Sequence, residues 1–104
     1  MRDAQHICWK NFKKINEVLN PERGKTWTPL VMATDLLQEA GEVAAAVKRI
    51  EGSEAADKPK IKEALASGIS DLIFAVFVIA EHYGIELEEA FMQTVNDYVL
   101  RFIP

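Results

Sequence analysis

The stretch that most constrains this chain is GISDLIFAVFVIAEHYG, Gly68–Gly84. It holds nine consecutive apolar residues, Leu72–Ala80, immediately preceded by Asp71. Such a run withdraws from water on every side, and a helix that is apolar all round is normally covered all round. Asp71 travels into the interior with its neighbours. An unpaired ionised carboxylate is costly there, so a hydrogen-bond network, a basic partner or a cation must compensate. The run itself is shorter than the roughly 20 residues that span a bilayer.

Punctuation divides the 104 residues into four expected helices. Ala4–Leu19 places Cys8, Phe12, Ile15 and Leu19 on one stripe, the period of an amphipathic helix. Asn20–Pro29, with two prolines and a glycine, reads as a loop. Thr28 and Pro29 form an N-cap and first-turn pair for a second helix that ends near Glu51, before Gly52. A third helix runs from about Pro59 to Tyr83 with Gly84 closing it, and a fourth from Glu86 to Phe102. No segment alternates as a strand does. The expectation is one all-α, four-helix up-down domain over residues 1–104. So small a subunit leaves few ways to cover the third helix, which implies a homodimer or a dimer of dimers with that helix in the shared core.

Composition narrows the function. A net charge of −4 leaves no basic surface for nucleic acid or an anionic membrane. Cys8 is the single cysteine, which excludes an internal disulfide and a cysteine-based zinc site, and it reads as a small packed hydrophobe. The first residues carry no continuous apolar region of the kind a secretory leader has, so the cytoplasm is the expected compartment.

Asp35, Glu39 and Glu42 follow one another four and three residues apart, and so share one face of the second helix, with Gln38 beside them. The other side of that helix is apolar: Leu30, Leu37, Ala40, Ala44 and Val47 form one row, with Leu36, Val43 and Ile50 alongside. If Asp71 meets the acidic face across a helix–helix contact, the converging oxygens make a hard-cation site suited to Mg²⁺ or Mn²⁺. Read alone, the same acids are a solvated stripe.

WTPLVMATDLLQEAGEVAAAVKRIEG, then SGISDLIFAVFVIAEHYGIELEEAF, then Arg101-Phe102, resembles the MazG-like all-α nucleoside triphosphate pyrophosphatases over roughly residues 27–102. That family carries Glu-Glu-x-x-Glu on one helix, Glu-x-x-Asp on the next and Gly-Ile-x-Leu-Glu-Glu-Ala opening another. Glu39 and Glu42 match the second and third glutamates of the first motif, and Asp71 the aspartate of the second. Gln38, Gly68 and Thr94 stand where the family has glutamate, glutamate and, often, lysine. The resemblance implies Mg²⁺-dependent hydrolysis of nucleoside triphosphates to monophosphate and pyrophosphate by dimers or tetramers. Glu39, Glu42 and Asp71 would be metal ligands and catalytic groups, with Asp35 as a replacement ligand. Arg101 matches a later arginine of the family and would contact phosphates with Lys48 and Arg49, although the last two also read as cations at a helix C-terminus. Gln38 would help to bind substrate, and Trp27 would stack on a base or cover the edge of the core. The departures imply an alternative: a helical oligomer that binds nucleotide or a partner without turnover.

Overall fold

A computed structural model of the protein describes residues 1–19 and 28–103, without the side chains of 15–19. It contains helices α1 (Arg2–Leu19), α2 (Pro29–Glu51), α3 (Lys58–His82) and α4 (Leu87–Phe102), and no strand among the described residues. The all-α expectation holds, with helix ends within two residues of those read from the sequence. Contacts group into two compact units. One is α2 with α3 as far as Val76; the other is α1 and α4 with the end of α3 from Phe77.

The start of α2 is set chemically. Thr28 has extended backbone and its Oγ1 accepts a hydrogen bond from Val31 N–H at 3.3 Å, while Pro29 occupies the first turn, where no N–H is needed. Lys48 and Arg49 lie in the last turn, where cations favour the carbonyl end of the dipole.

Residues 32, 36, 39, 43, 46 and 50 are buried or half-buried on α2, as are the neighbouring 29 and 35, and 61, 65, 68, 72 and 75 belong to the same class on α3. Both series step by threes and fours, the spacing of a helix–helix seam. Their register follows from one contact: a Cβ built on Gly68 would lie 3.4 Å from Val43 Cγ2. An antiparallel hairpin in that register sets Ala46 level with Leu65, and Glu39 level with Leu72. A carboxylate therefore occupies one place in an otherwise apolar seam.

The second unit is locked at the corner between α3 and α4. Gly84 has φ 66°, a left-handed conformation that disfavours a side chain. Ile85 N–H donates to Ala80 O at 2.8 Å and Gly84 N–H to Glu81 O at 3.1 Å, the paired bonds of a Schellman closure. Gln5 on α1 is 4% exposed and holds the same corner from outside. Its Nε2 donates to Ile85 O at 2.7 Å and its Oε1 accepts from Leu87 N–H at 3.1 Å. The second of these bonds matters because Glu86, the N-cap residue of α4, makes no side-chain capping bond.

One further expectation concerns this unit. On the α1 stripe Phe12 is buried and Cys8 half-buried, with burial raising the Cys8 thiol above its ordinary value; the side chains of Ile15 and Leu19 lie outside the described residues. The histidines have structural neighbours. His6 Nδ1 lies 3.0 Å from Glu81 Oε1, and the His82 ring meets Tyr83 and Trp9 edge-on.

The single chain does not cover α3 all round. Phe77, Val78 and Ala80 are buried, whereas Ile69 and Ile73 stay open to solvent. By length and composition α3 passes as a bilayer span, a test that the core helix of a soluble protein also passes.

Candidate active site: an acidic cleft between two helices

The hairpin of α2 and α3 has two faces, and position relative to the seam decides which residue belongs to each. In an antiparallel pair, residues one position before the seam residues project to the same side on both helices, because each helix turns in the right-handed sense along its own direction. On α2 these are Val31, Asp35, Gln38, Glu42, Ala45 and Arg49; on α3 they are Lys60, Ala64, Ser67, Asp71 and Phe74. The carboxylates Asp35, Glu42 and Asp71 thus share that side with Arg49 and Lys60.

A cleft of about 290 Å³ opens there, lined by Glu42, Arg49, Ser67 and Asp71 over a floor of Val43, Ala46, Ala64 and Gly68. Asp71 is exposed at this cleft and is not carried into the interior as expected, because it precedes the seam residue Leu72 and so lies on the flank. There it meets the acidic stripe of α2 across the helix contact. It makes no ion pair with a lysine or arginine among the described residues. A second, larger hollow shares Arg49 and continues past Ser53 and Lys60 at the turn between the helices.

Glu39 is the unusual group. Its Oε2 is sequestered and has no hydrogen-bond partner. Desolvation raises its carboxyl above the ordinary glutamate value, and the charges of Glu42, Asp71 and Asp35 raise it further. An orphaned carboxylate oxygen that feels the charge of three other carboxylates is a group whose charge a cation would offset. The donor set is all oxygen, which suits Mg²⁺ or Mn²⁺. The ligands are not drawn together in advance: among the described residues no group of three or more His, Cys, Asp or Glu side chains is arranged to hold a metal ion as it stands.

The departures from the family pattern have local consequences. Gln38 Nε2 lies 3.4 Å from Glu42 Oε1, so the amide at the first motif position donates to a neighbouring carboxylate instead of adding to its charge. Gly68 replaces a carboxylate with bare backbone, against which Val43 packs. Thr94 donates its hydroxyl to Ala90 O at 3.2 Å within α4.

Of the cations proposed for phosphate, Arg49 lies in the cleft wall. Lys48 is exposed and is not part of that wall. Arg101 is on α4 in the other unit, its guanidinium 5.8 Å from the centre of the Phe102 ring. Trp27 lies outside the described residues.

With this geometry in place the comparison with known families is specific. The family model for the MazG nucleotide pyrophosphohydrolase domain matches residues 27–101. The chain belongs to that family. The match spans α2, α3 and nearly all of α4, and so includes Glu39, Glu42 and Asp71. No curated protein and no solved structure matches significantly.

Proposed function

We propose that the protein is a Mg²⁺-dependent nucleoside triphosphate pyrophosphohydrolase, releasing monophosphate and pyrophosphate. The observation that carries this reading is Glu39 Oε2, sequestered without a partner amid the carboxylates of Glu42, Asp71 and Asp35. Glu39, Glu42 and Asp71 would hold the ion, with Asp35 in reserve; when bound, it neutralises the triphosphate and makes a coordinated water acidic. Because the ligands are not assembled in advance, the site takes the ion together with the nucleotide, whose phosphate oxygens complete the ligand set.

The chain's own groups have separate tasks. The Arg49 guanidinium offers a planar fork of donors to phosphate oxygens from the cleft wall. Ser67 adds a hydroxyl beside Asp71. A carboxylate that the ion leaves free would receive the proton of an attacking water. A cytoplasmic protein is the corresponding expectation for location.

Gly68 and the unassembled ligand set favour a second reading, in which the cleft binds nucleotide and no longer turns it over. Pyrophosphate release from a panel of ribo- and deoxynucleoside triphosphates separates the two. Turnover that requires Mg²⁺ and disappears in Asp71→Ala supports the enzyme. Binding without turnover on every nucleotide assigns the second reading.

A further inference from the structure

The second hollow, at the turn between α2 and α3, takes no part in the hydrolysis proposed above. It measures about 860 Å³, against about 290 Å³ for the acidic cleft. The two run into one another, because Arg49 on α2 and Ala64 on α3 line both. Small-molecule sites commonly measure about 300–1,000 Å³. The cleft alone lies at the bottom of that range and the hollow near its top. A ligand held at the cleft therefore has room for a further group beyond Arg49.

The lining says what kind of group. Arg49 and Lys60 can only donate hydrogen bonds, and the carboxylates of Asp57 and Glu63 can only accept them. Asp57 and Glu63 each lie three residues from Lys60, a spacing at which opposite charges pair. Yet none of the four makes an ion pair among the described residues. Donors and acceptors thus stand open together around one hollow, beside the buried Ile61. Their charges sum to zero. A terminal phosphate suits this lining badly, because it accepts hydrogen bonds as Asp57 and Glu63 do and carries charge of their sign. An apolar group would strand all four. A neutral group rich in hydroxyls suits it, since each hydroxyl both donates and accepts, and the C–H face of a sugar ring can rest on Ile61.

We infer that the hollow binds a sugar carried on the β-phosphate of a nucleoside diphosphate, and that such compounds are substrates beside the triphosphates. This rests on the cleft as the Mg²⁺ site. The oxygen of water joins the α-phosphorus, and the bond from that phosphorus to the bridging oxygen breaks. The bridging oxygen leaves on the sugar phosphate, the water's protons pass to the cleft and the solvent, and nucleoside monophosphate remains. The sugar can be a hexose or a second ribose; both offer hydroxyls to Asp57 and Glu63.

Calorimetric titration with Mg²⁺ tests this, on the wild type and on Asp57→Asn/Glu63→Gln. The ligands are the triphosphate, diphosphate and diphosphate hexose of uridine, adenosine and guanosine, and ADP-ribose, all as α,β-methylene analogues that stay intact. Wild type should bind a sugar-bearing diphosphate about tenfold tighter than the bare diphosphate, the worth of one hydrogen bond to a carboxylate. The double variant should lose that gain and keep its affinity for triphosphate. A gain with the hexose compounds assigns a hexose, and one with ADP-ribose alone assigns a second ribose. With the natural compounds in heavy-oxygen water, phosphorus NMR should show the label on the nucleoside monophosphate and none on the sugar phosphate. Triphosphate binding without any gain from the sugar overturns this inference and leaves the pyrophosphohydrolase standing, as does a gain that the double variant retains. A chain that binds none of the ligands with Mg²⁺ overturns both.

Discussion

Replacing Gln5 with alanine is the sharpest test of how the second unit is held. The side chain spans two backbone groups that no other group among the described residues serves, the carbonyl of Ile85 and the N–H of Leu87, at 2.7 and 3.1 Å. Truncation strands both at a partly buried corner. Each lost bond is worth about 0.5–1.5 kcal/mol net, and an orphaned buried group costs about 1–3 kcal/mol, so the expected loss is about 2–4 kcal/mol. At roughly 4–8 °C per kcal/mol for a chain of this size, the melting temperature should fall by about 10 °C or more. Thermal and urea unfolding followed by far-UV circular dichroism measure it, and hydrogen exchange at Leu87 N–H localises it. Gln5→Glu refines the test. A carboxylate keeps the acceptor for Leu87 N–H but turns a second oxygen toward the Ile85 carbonyl, so the variant should be weak at neutral pH. It should recover as acid restores a proton to donate. A Gln5→Ala protein within about 0.5 kcal/mol of wild type, the usual scatter of a surface substitution, would show that the corner is not held this way.

Other expectations follow from single groups. Glu39 has a folded-state pKa raised above its unfolded one, so it costs nothing well below the ordinary glutamate range and destabilises as pH rises through the folded value. Glu39→Gln should therefore raise the melting temperature at pH 7 and leave it nearly unchanged at pH 4; a lower value at pH 7 would mean the carboxylate has a partner. Gly84→Ala should cost about 1–2 kcal/mol, because a side chain must then adopt φ 66°; unchanged denaturant stability would contradict that closure. Gly41 sits inside α2 with nothing within 4 Å of an added Cβ, so Gly41→Ala should add about 0.5–1 kcal/mol in urea unfolding, and a loss would reveal a close neighbour.

Much of the fold was legible because its signals are local. Thr28-Pro29 and Gly84 announce helix ends by backbone chemistry that holds in any context. The facing of α2 was only half legible. Its apolar arc is wide enough for two seams, and periodicity alone does not say that α3 takes the one through Val43 while the one through Leu37 stays open. Glu39 belongs to the covered seam, four residues before Val43, which is why its oxygen is sequestered when Asp35 and Glu42 are on the flank. Arg49 precedes the seam residue Ile50 and so reaches the cleft; Lys48, one step further round the helix, does not. As helix-end charges or as phosphate contacts the two cations read alike in the sequence, which gave no means of choosing between them. Gln5 carries a sequence signal of its own. It stands on the α1 stripe one turn before Cys8, and a polar residue on an apolar stripe should prompt the question of what backbone it serves.

The central claim is that a reduced set of carboxylates still takes a divalent cation when nucleotide brings it. The direct measurement is Mn²⁺ binding followed by electron paramagnetic resonance, with and without a triphosphate analogue that cannot be cleaved between its α and β phosphates, for wild type and Glu39→Gln. The account predicts little Mn²⁺ bound by the protein alone, a tightly bound protein–nucleotide–Mn²⁺ species for the wild type, and its loss in Glu39→Gln. A spectrum that is the same for both proteins, or that never departs from the Mn²⁺–nucleotide complex free in solution, would contradict it.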